Sequence, residues 1–264
     1  MKRSTALLLL ALGVLSCHSE EGTKAGEPRL DHYVESYDLP DLGFQPQLKV
    51  NYQYNSKDKL IGYVVSSYTP DTGNFQELRH IEVIYTGDAV SKILGYLPNE
   101  VNPYLEYIYE YRQDGRVLKI GETNSSTGIS SVAEFQYDDA NGSVKVAYAF
   151  SNGGSFEYEF QLMEGNIVTD KTTRGAQLCS EGSYTYDDHV NPFQTLGYTD
   201  YLLINLSKNN KLVENINYLS CAFPSLIPES YTYKYNGLGY PTLITTHYKP
   251  GADAITSQKE IFYR

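Results

Sequence analysis

The chain has 264 residues and a formal net charge of −11, with 32 acidic against 21 basic side chains. That balance disfavours nucleic acid and anionic headgroups as partners, because both would repel it. Tyrosine is abundant at 26 copies while tryptophan is absent, and only three cysteines occur.

At the N-terminus, Lys2 and Arg3 form a positive head, and Ala6 to Leu12 supply an apolar core of seven residues. A membrane-spanning helix needs about 20 apolar residues, so this segment reads as a cleavable export signal. The ending Val14-Leu15-Ser16-Cys17 resembles a bacterial lipobox, with Leu15 bulkier than the small residue usual at that place. The resemblance implies diacylglycerol on the Cys17 sulfur, cleavage before it and acylation of the new terminus. Loss of Lys2 and Arg3 with the signal takes the formal charge from −11 to −13. The following His18-Ser19-Glu20-Glu21-Gly22 resembles the surface-export signal of Bacteroides-type lipoproteins. The expected division is therefore a lipoprotein signal peptide over residues 1–16 and a lipidated N-terminus with a flexible, polar tether over 17–46. A single β domain is expected over 47–264.

That domain repeats itself. Tyr52-Gln53-Tyr54-Asn55, Tyr109-Glu110-Tyr111, Phe135-Gln136-Tyr137-Asp138, Tyr184-Thr185-Tyr186-Asp187 and Tyr233-Lys234-Tyr235-Asn236 share one pattern. Each is followed by Asn, Asp or Gly, as at Asp114-Gly115, Asn141-Gly142 and Gly239. Residues two apart share a strand face, so each pair puts two rings on one side of a sheet. The turn residues tolerate positive φ and close a hairpin. Gly153-Gly154 reads as another such turn. Anchoring aromatics at 54, 85, 111, 137, 160, 186 and 235 recur mostly 23 to 31 residues apart, one hairpin plus its return per unit. Thirteen to fifteen strands are expected. A short helix or loop is expected over 198–206, between Pro192 and the turn-like Asn209-Asn210.

The Tyr-x-Tyr-Asp/Asn motifs resemble the tyrosine-aspartate repeats of RHS-type proteins. Over roughly residues 50–264 the chain resembles Bacteroides-type lipoproteins of unknown function with a porin-like fold. The segments carrying that likeness are Tyr186 to Phe193, then Asn209-Asn210, then Tyr233 to Pro241. The resemblance implies an all-β architecture, a long antiparallel meander curled into a barrel or half-barrel. Charges on both parities of segments such as Glu77-Leu78-Arg79-His80-Ile81-Glu82 argue for a soluble body rather than a lipid-embedded one.

No Gly-x-Ser-x-Gly elbow, HExxH or phosphate loop occurs, so neither an enzyme nor a cofactor or metal site is expected. Asp187-Asp188-His189, the densest ionisable cluster, reads as the turn ending its strand rather than a cation site, because adjacent residues of an extended chain face opposite ways. Cys179 and Cys221 are either disulfide-bonded, as export favours, or two buried thiols. The interval between anchoring aromatics stretches to 49 residues after Tyr186, and an insertion into a regular scaffold usually forms a loop that carries binding groups. Phe193, Tyr198 and Tyr201 are therefore the candidate ligand contacts. The expected function is that of a non-catalytic binding module for an extracellular glycan or peptide, held at the outer surface of the outer membrane by its lipid alone. The alternatives are an accessory protein that presents its sheet to an envelope partner, and a carrier of a hydrophobic ligand.

Overall fold

The computed structural model describes residues 28–39, 41–197, 207–219, 221, 228–248 and 256–264. Sixteen antiparallel strands follow one another in chain order: β1 (Leu30–Leu39), β2 (Gly43–Tyr54), β3 (Leu60–Thr69), β4 (Asn74–Thr86), β5 (Ala89–Tyr96), β6 (Leu105–Tyr111), β7 (Val117–Asn124) and β8 (Ile129–Asp138). The second eight are β9 (Ser143–Phe150), β10 (Ser155–Met163), β11 (Asn166–Arg174), β12 (Gln177–Val190), β13 (Asn209–Tyr218), β14 (Pro228–Tyr235), β15 (Pro241–Tyr248) and β16 (Thr256–Tyr263). Each strand pairs with its neighbour in sequence, and β1 pairs with β16, so the meander closes into a barrel and leaves no free edge.

Two expectations change here. The strand number is sixteen rather than thirteen to fifteen. The barrel also begins at Leu30, inside the stretch whose polar composition suggested a tether through residue 46. Strand β1 holds its place by register: His32 to Tyr37 pair with Ser257 to Phe262 on one side, and His32 to Leu39 pair with Gly43 to Asn51 on the other. Its polar groups are thereby supplied with backbone partners, and a polar strand costs little when it closes a sheet.

The even-numbered strands end, and the odd-numbered ones begin, at one rim of the barrel. Here the aromatic pairs explain themselves. The second ring of a pair, or its equivalent, sends its hydroxyl to a carbonyl near the start of the preceding strand. Tyr54 donates to Leu30 (2.8 Å), Tyr111 to Val90 (2.7 Å), Tyr137 to Val117 (3.0 Å) and Tyr186 to Ile167 (2.6 Å). Tyr233 donates to Lys211 (2.6 Å) and Tyr263 to Pro241 (2.7 Å). Register shifts beside Tyr54, Tyr85, Tyr111 and Tyr235 bend the strand ends at this rim. The turns follow the expected chemistry: Asn55 and Asn236 accept from backbone N–H groups two and four residues on, and Gly115 and Gly239 take φ of +84° and +81°.

A circular barrel of sixteen strands would enclose a wide channel. This one is largely filled. From β2 to β9 the inward side chains are Leu60, Ile81, Val83, Tyr109, Ile120, Phe135, Val146 and their neighbours, all buried in a single apolar cluster. Each large side chain of that kind contributes about 1.5–3 kcal/mol on full burial. The outward residues on the same strands are charged and cross-paired: Lys92 with Glu106 (2.9 Å), Lys119 with Glu110 (3.8 Å) and Lys145 with Glu159 (3.6 Å).

Candidate functional site

From β10 onward the filling is partial: Phe160, Ile167, Ile244 and Ile261 still belong to the apolar cluster, but they leave a space between them. Between β10 and β16, with Tyr33 of the adjoining β1, the barrel encloses a cavity of about 660 Å³, within the 300–1,000 Å³ usual for small-molecule sites. A one-turn 3₁₀ helix, Pro192–Leu196, closes it at the tyrosine rim. The Asn191 side chain caps that turn by accepting from the Phe193 N–H (3.1 Å), and its amide donates to the Ser207 carbonyl (3.1 Å). Pro192 at the first helical position and Gly197 at φ +76° set the start and the stop. Leu196 joins the apolar cluster, and the Phe193 ring meets Tyr33 edge-on at 6.0 Å. Beside the turn, asparagines join the strands of the wall: Asn209 receives from Asn166 (3.0 Å) and donates to the His189 carbonyl (3.0 Å).

Asp187-Asp188-His189 does not end its strand; all three lie within β12. Asp187 is a structural acceptor there. It takes bonds from the His189 N–H (2.9 Å), from the Asn210 backbone (3.1 Å) and side chain (3.2 Å), and from the Tyr235 hydroxyl. His189 stacks on Tyr235 at 4.0 Å. Asn210 of β13 and Tyr235 of β14 supply these partners from other strands, which adjacency in sequence does not reveal. Among the described residues, no group of three His, Cys, Asp or Glu side chains stands at metal-ligand spacing.

Further along, the lining becomes ionic and aromatic. The Lys211 ammonium lies 2.9 Å from Glu214 and 4.4 Å from the centre of the Tyr184 ring. Tyr231 donates to the same Glu214 (3.0 Å), and Tyr184 donates to Asp170. Across the cavity Lys259 pairs with Glu35 (3.6 Å) and sits 5.5 Å from the Tyr33 ring centre. Burial, and then the neighbouring carboxylates, push the Tyr184 and Tyr231 hydroxyls well above the usual phenol range, so both stay protonated donors. Burial also raises Asp170, with the Tyr184 hydrogen bond pulling the other way.

Of the candidate contacts, Phe193 lines the cavity, whereas Tyr198 and Tyr201 lie outside the described residues, as do Cys17 and the expected helix or loop at 198–206. Cys179, in β12, is joined to Cys221 by a disulfide with Cα atoms 4.9 Å apart, at the rim opposite the tyrosines. The sequence reading missed Asp170, Lys211, Glu214, Tyr231 and Lys259. Their only sequence signal is inward parity, since each lies an even number of positions from an inward aromatic or an aliphatic on its strand once the register shifts are allowed for.

No family model matches the sequence, and no curated protein matches it. Solved structures do. A porin-like protein from Bacteroides uniformis superposes with a TM-score of 0.59 at 10% identity, covering 89% of this chain and 98% of that one. A porin-like protein from Bacteroides vulgatus gives 0.47 at 12% identity, covering 90% and 99%. A chain of the TcdB2–TccC3–Cdc42 assembly gives 0.33 at 12% identity, with 82% of this chain against 13% of that one. The first of these shows the fold: an all-β antiparallel barrel built of hairpins. At such identity it speaks to fold alone.

Proposed function

We propose that the protein is a non-catalytic envelope lipoprotein, tethered through Cys17, that binds a glycan or peptide fragment in the cavity between β10 and β16. One observation carries the reading: a barrel that packs its interior solid over β2 to β9 leaves about 660 Å³ between tyrosine faces elsewhere. Tyrosine offers a flat apolar face for a sugar ring or a side chain, and the adjacent polar groups fix orientation. The acids of the cavity are engaged by Lys211, Tyr231 and Tyr184 in hydrogen bonds that hold the wall together, which favours binding over chemistry. A hydrophobic cargo fits less well, because an acyl chain would leave Asp170, Lys211 and Glu214 facing hydrocarbon without water.

The outer wall supports a water-facing body. A lipid-facing barrel needs an apolar band about 25 Å tall, and the ion pairs of β5 to β10 occupy that surface instead. The point of attachment follows from the strand order. Leu30 starts β1 at the tyrosine rim, and the 13 positions separating it from Cys17 reach at most about 45 Å. A lipid on Cys17 would attach on the side of that rim, while the cavity extends from the 3₁₀ turn toward the far rim, at Ser180 and Tyr218. The test is a panel of soluble glycans and peptides offered to the wild type and to Ile216→Trp, which fills the cavity. Binding by the wild type that the variant loses while retaining its circular dichroism is the expected result. A panel in which nothing binds, or binding that Ile216→Trp leaves unchanged, contradicts the proposal.

A further inference from the structure

The cavity holds one carboxylate whose surroundings are incomplete. Asp170 lines the cavity, and its carboxylate accepts from the Tyr184 hydroxyl. Among the described residues no Lys, Arg or His stands within ion-pair distance of it; Lys211, whose charge reaches it, is bound to Glu214. The fold makes deliberate room for this group. Gly182 is the register partner of Asp170 across β11 and β12, and a Cβ there would overlap the Asp170 carboxylate oxygen and come within 2.8 Å of the Tyr184 hydroxyl. Any larger residue at 182 would displace the carboxylate from the position it now takes.

The charges around it are unbalanced in the same direction. Glu214 is matched by Lys211 and Glu35 by Lys259, which leaves Asp170 as the unmatched anion. Asp170 is half-buried; a carboxylate partly withdrawn from water without a cation is costly, and the cost is relieved when a cation arrives. The walls suit one. Lys211 over Tyr184 and Lys259 over Tyr33 already show cations resting against these rings.

Resting on the proposal that the cavity is the binding site, we infer that its ligand carries a protonated aliphatic amine, with Asp170 as the anchoring carboxylate and the Tyr184 hydroxyl and Gly182 as the elements that hold it in place. Amino sugars and free peptide N-termini both carry this group.

The test titrates three probes of similar size into the full-length chain in detergent by calorimetry: cyclohexylmethylamine, cyclohexylmethanol and cyclohexanecarboxylate. The amine is expected to bind at least tenfold more tightly than the alcohol, and the carboxylate least of all. Asp170→Asn keeps an acceptor for Tyr184 and removes the charge; it is expected to bring the amine to the level of the alcohol. Gly182→Ala keeps the charge but displaces it, and is expected to cut the amine's advantage at least threefold; it serves as the readout if Asp170→Asn fails to fold. Glucosamine against N-acetylglucosamine, and a free against an acetylated tripeptide, then distinguish the two sources of the amine. Equal binding of all three probes overturns the amine and leaves the cavity as a site. An amine advantage that survives both variants overturns the role of Asp170, and binding of no probe overturns the inference together with the cavity reading.

Discussion

The stretch from β2 to β9 and the stretch from β10 to β16 are built from the same repeat yet have opposite interiors. Among the described residues, fifteen of the buried apolar ones belong to β2–β9 and seven fall after Phe150. Of the eight described residues that are polar and buried, six, namely Asn166, Ser180, Ser207, Asn210, Thr246 and Ser257, fall in the second stretch. The rim tyrosines behave alike in both, with Tyr137 and Tyr233 each donating to a carbonyl of the strand before. The repeat therefore builds the wall and its rim. What stands at the remaining inward positions decides whether the interior is dry packing or a lined space. Where Ala133, Phe135 and Val146 point inward, apolar surfaces close on one another; where Asp170, Thr172 and Lys211 do, desolvation opposes closure.

The largest expected difference between the stretches lies in their response to truncation. Phe135→Ala removes a ring that is 3% exposed and is expected to cost about 3–5 kcal/mol. Ile216→Ala, in the half-buried cavity wall, is expected to cost about 1 kcal/mol, since its methylenes already face open space. Urea unfolding monitored by circular dichroism measures both, and equal losses would erase the distinction. The next effect belongs to the hollow stretch alone. The disulfide between Cys179 and Cys221 spans 42 positions and ties the start of β12 to the segment after β13. Replacing both cysteines by serine is expected to lower stability by about 2–4 kcal/mol, read in the same denaturant titration.

The smallest effect should be shared by both stretches. Tyr137→Phe and Tyr233→Phe each remove one rim hydrogen bond and are expected to cost about 0.5–1.5 kcal/mol apiece. Alkaline titration sharpens the point. Burial pushes Tyr54, Tyr111 and Tyr137 up to about 12, whereas an unfolded tyrosine ionises near 10. The folded state then holds protons that the unfolded state releases. Its stability is full below about pH 10 and declines as pH rises from about 10 to 12. Stability that stays level across that window would contradict the buried rim.

Much of the wall was legible in the sequence because its signals are local. Tyr52-x-Tyr54 and Tyr109-x-Tyr111 announce inward rings, and Asn55, Gly115 and Gly239 announce the turns that follow. Strand β1 was not legible as a strand. Its Tyr33, Glu35 and Tyr37 do alternate, but the stretch around them is polar, and its partner β16 lies more than 200 residues away. Asn209-Asn210 reads as a turn and instead opens β13, because Asn166, Asp187 and His189 take up its polar groups from other strands. The cavity was the least legible part. Asp170, Lys211, Glu214 and Lys259 come from three different strands, and nothing in their own neighbourhoods says that they face one another.

The central claim, a barrel solid on one side and hollow on the other, is tested most directly by thiol accessibility. Single cysteines placed as Thr172→Cys and Ala133→Cys both point inward, the first into the cavity and the second into the packed stretch. With the Cys17 sulfur carrying its lipid and Cys179 bonded to Cys221, a water-soluble maleimide reports on the new thiol in the folded, lipidated chain. Rapid labelling at position 172, with protection at 133 until the chain is unfolded, is the predicted result. Equal labelling at the two positions, whether fast or slow, would contradict it.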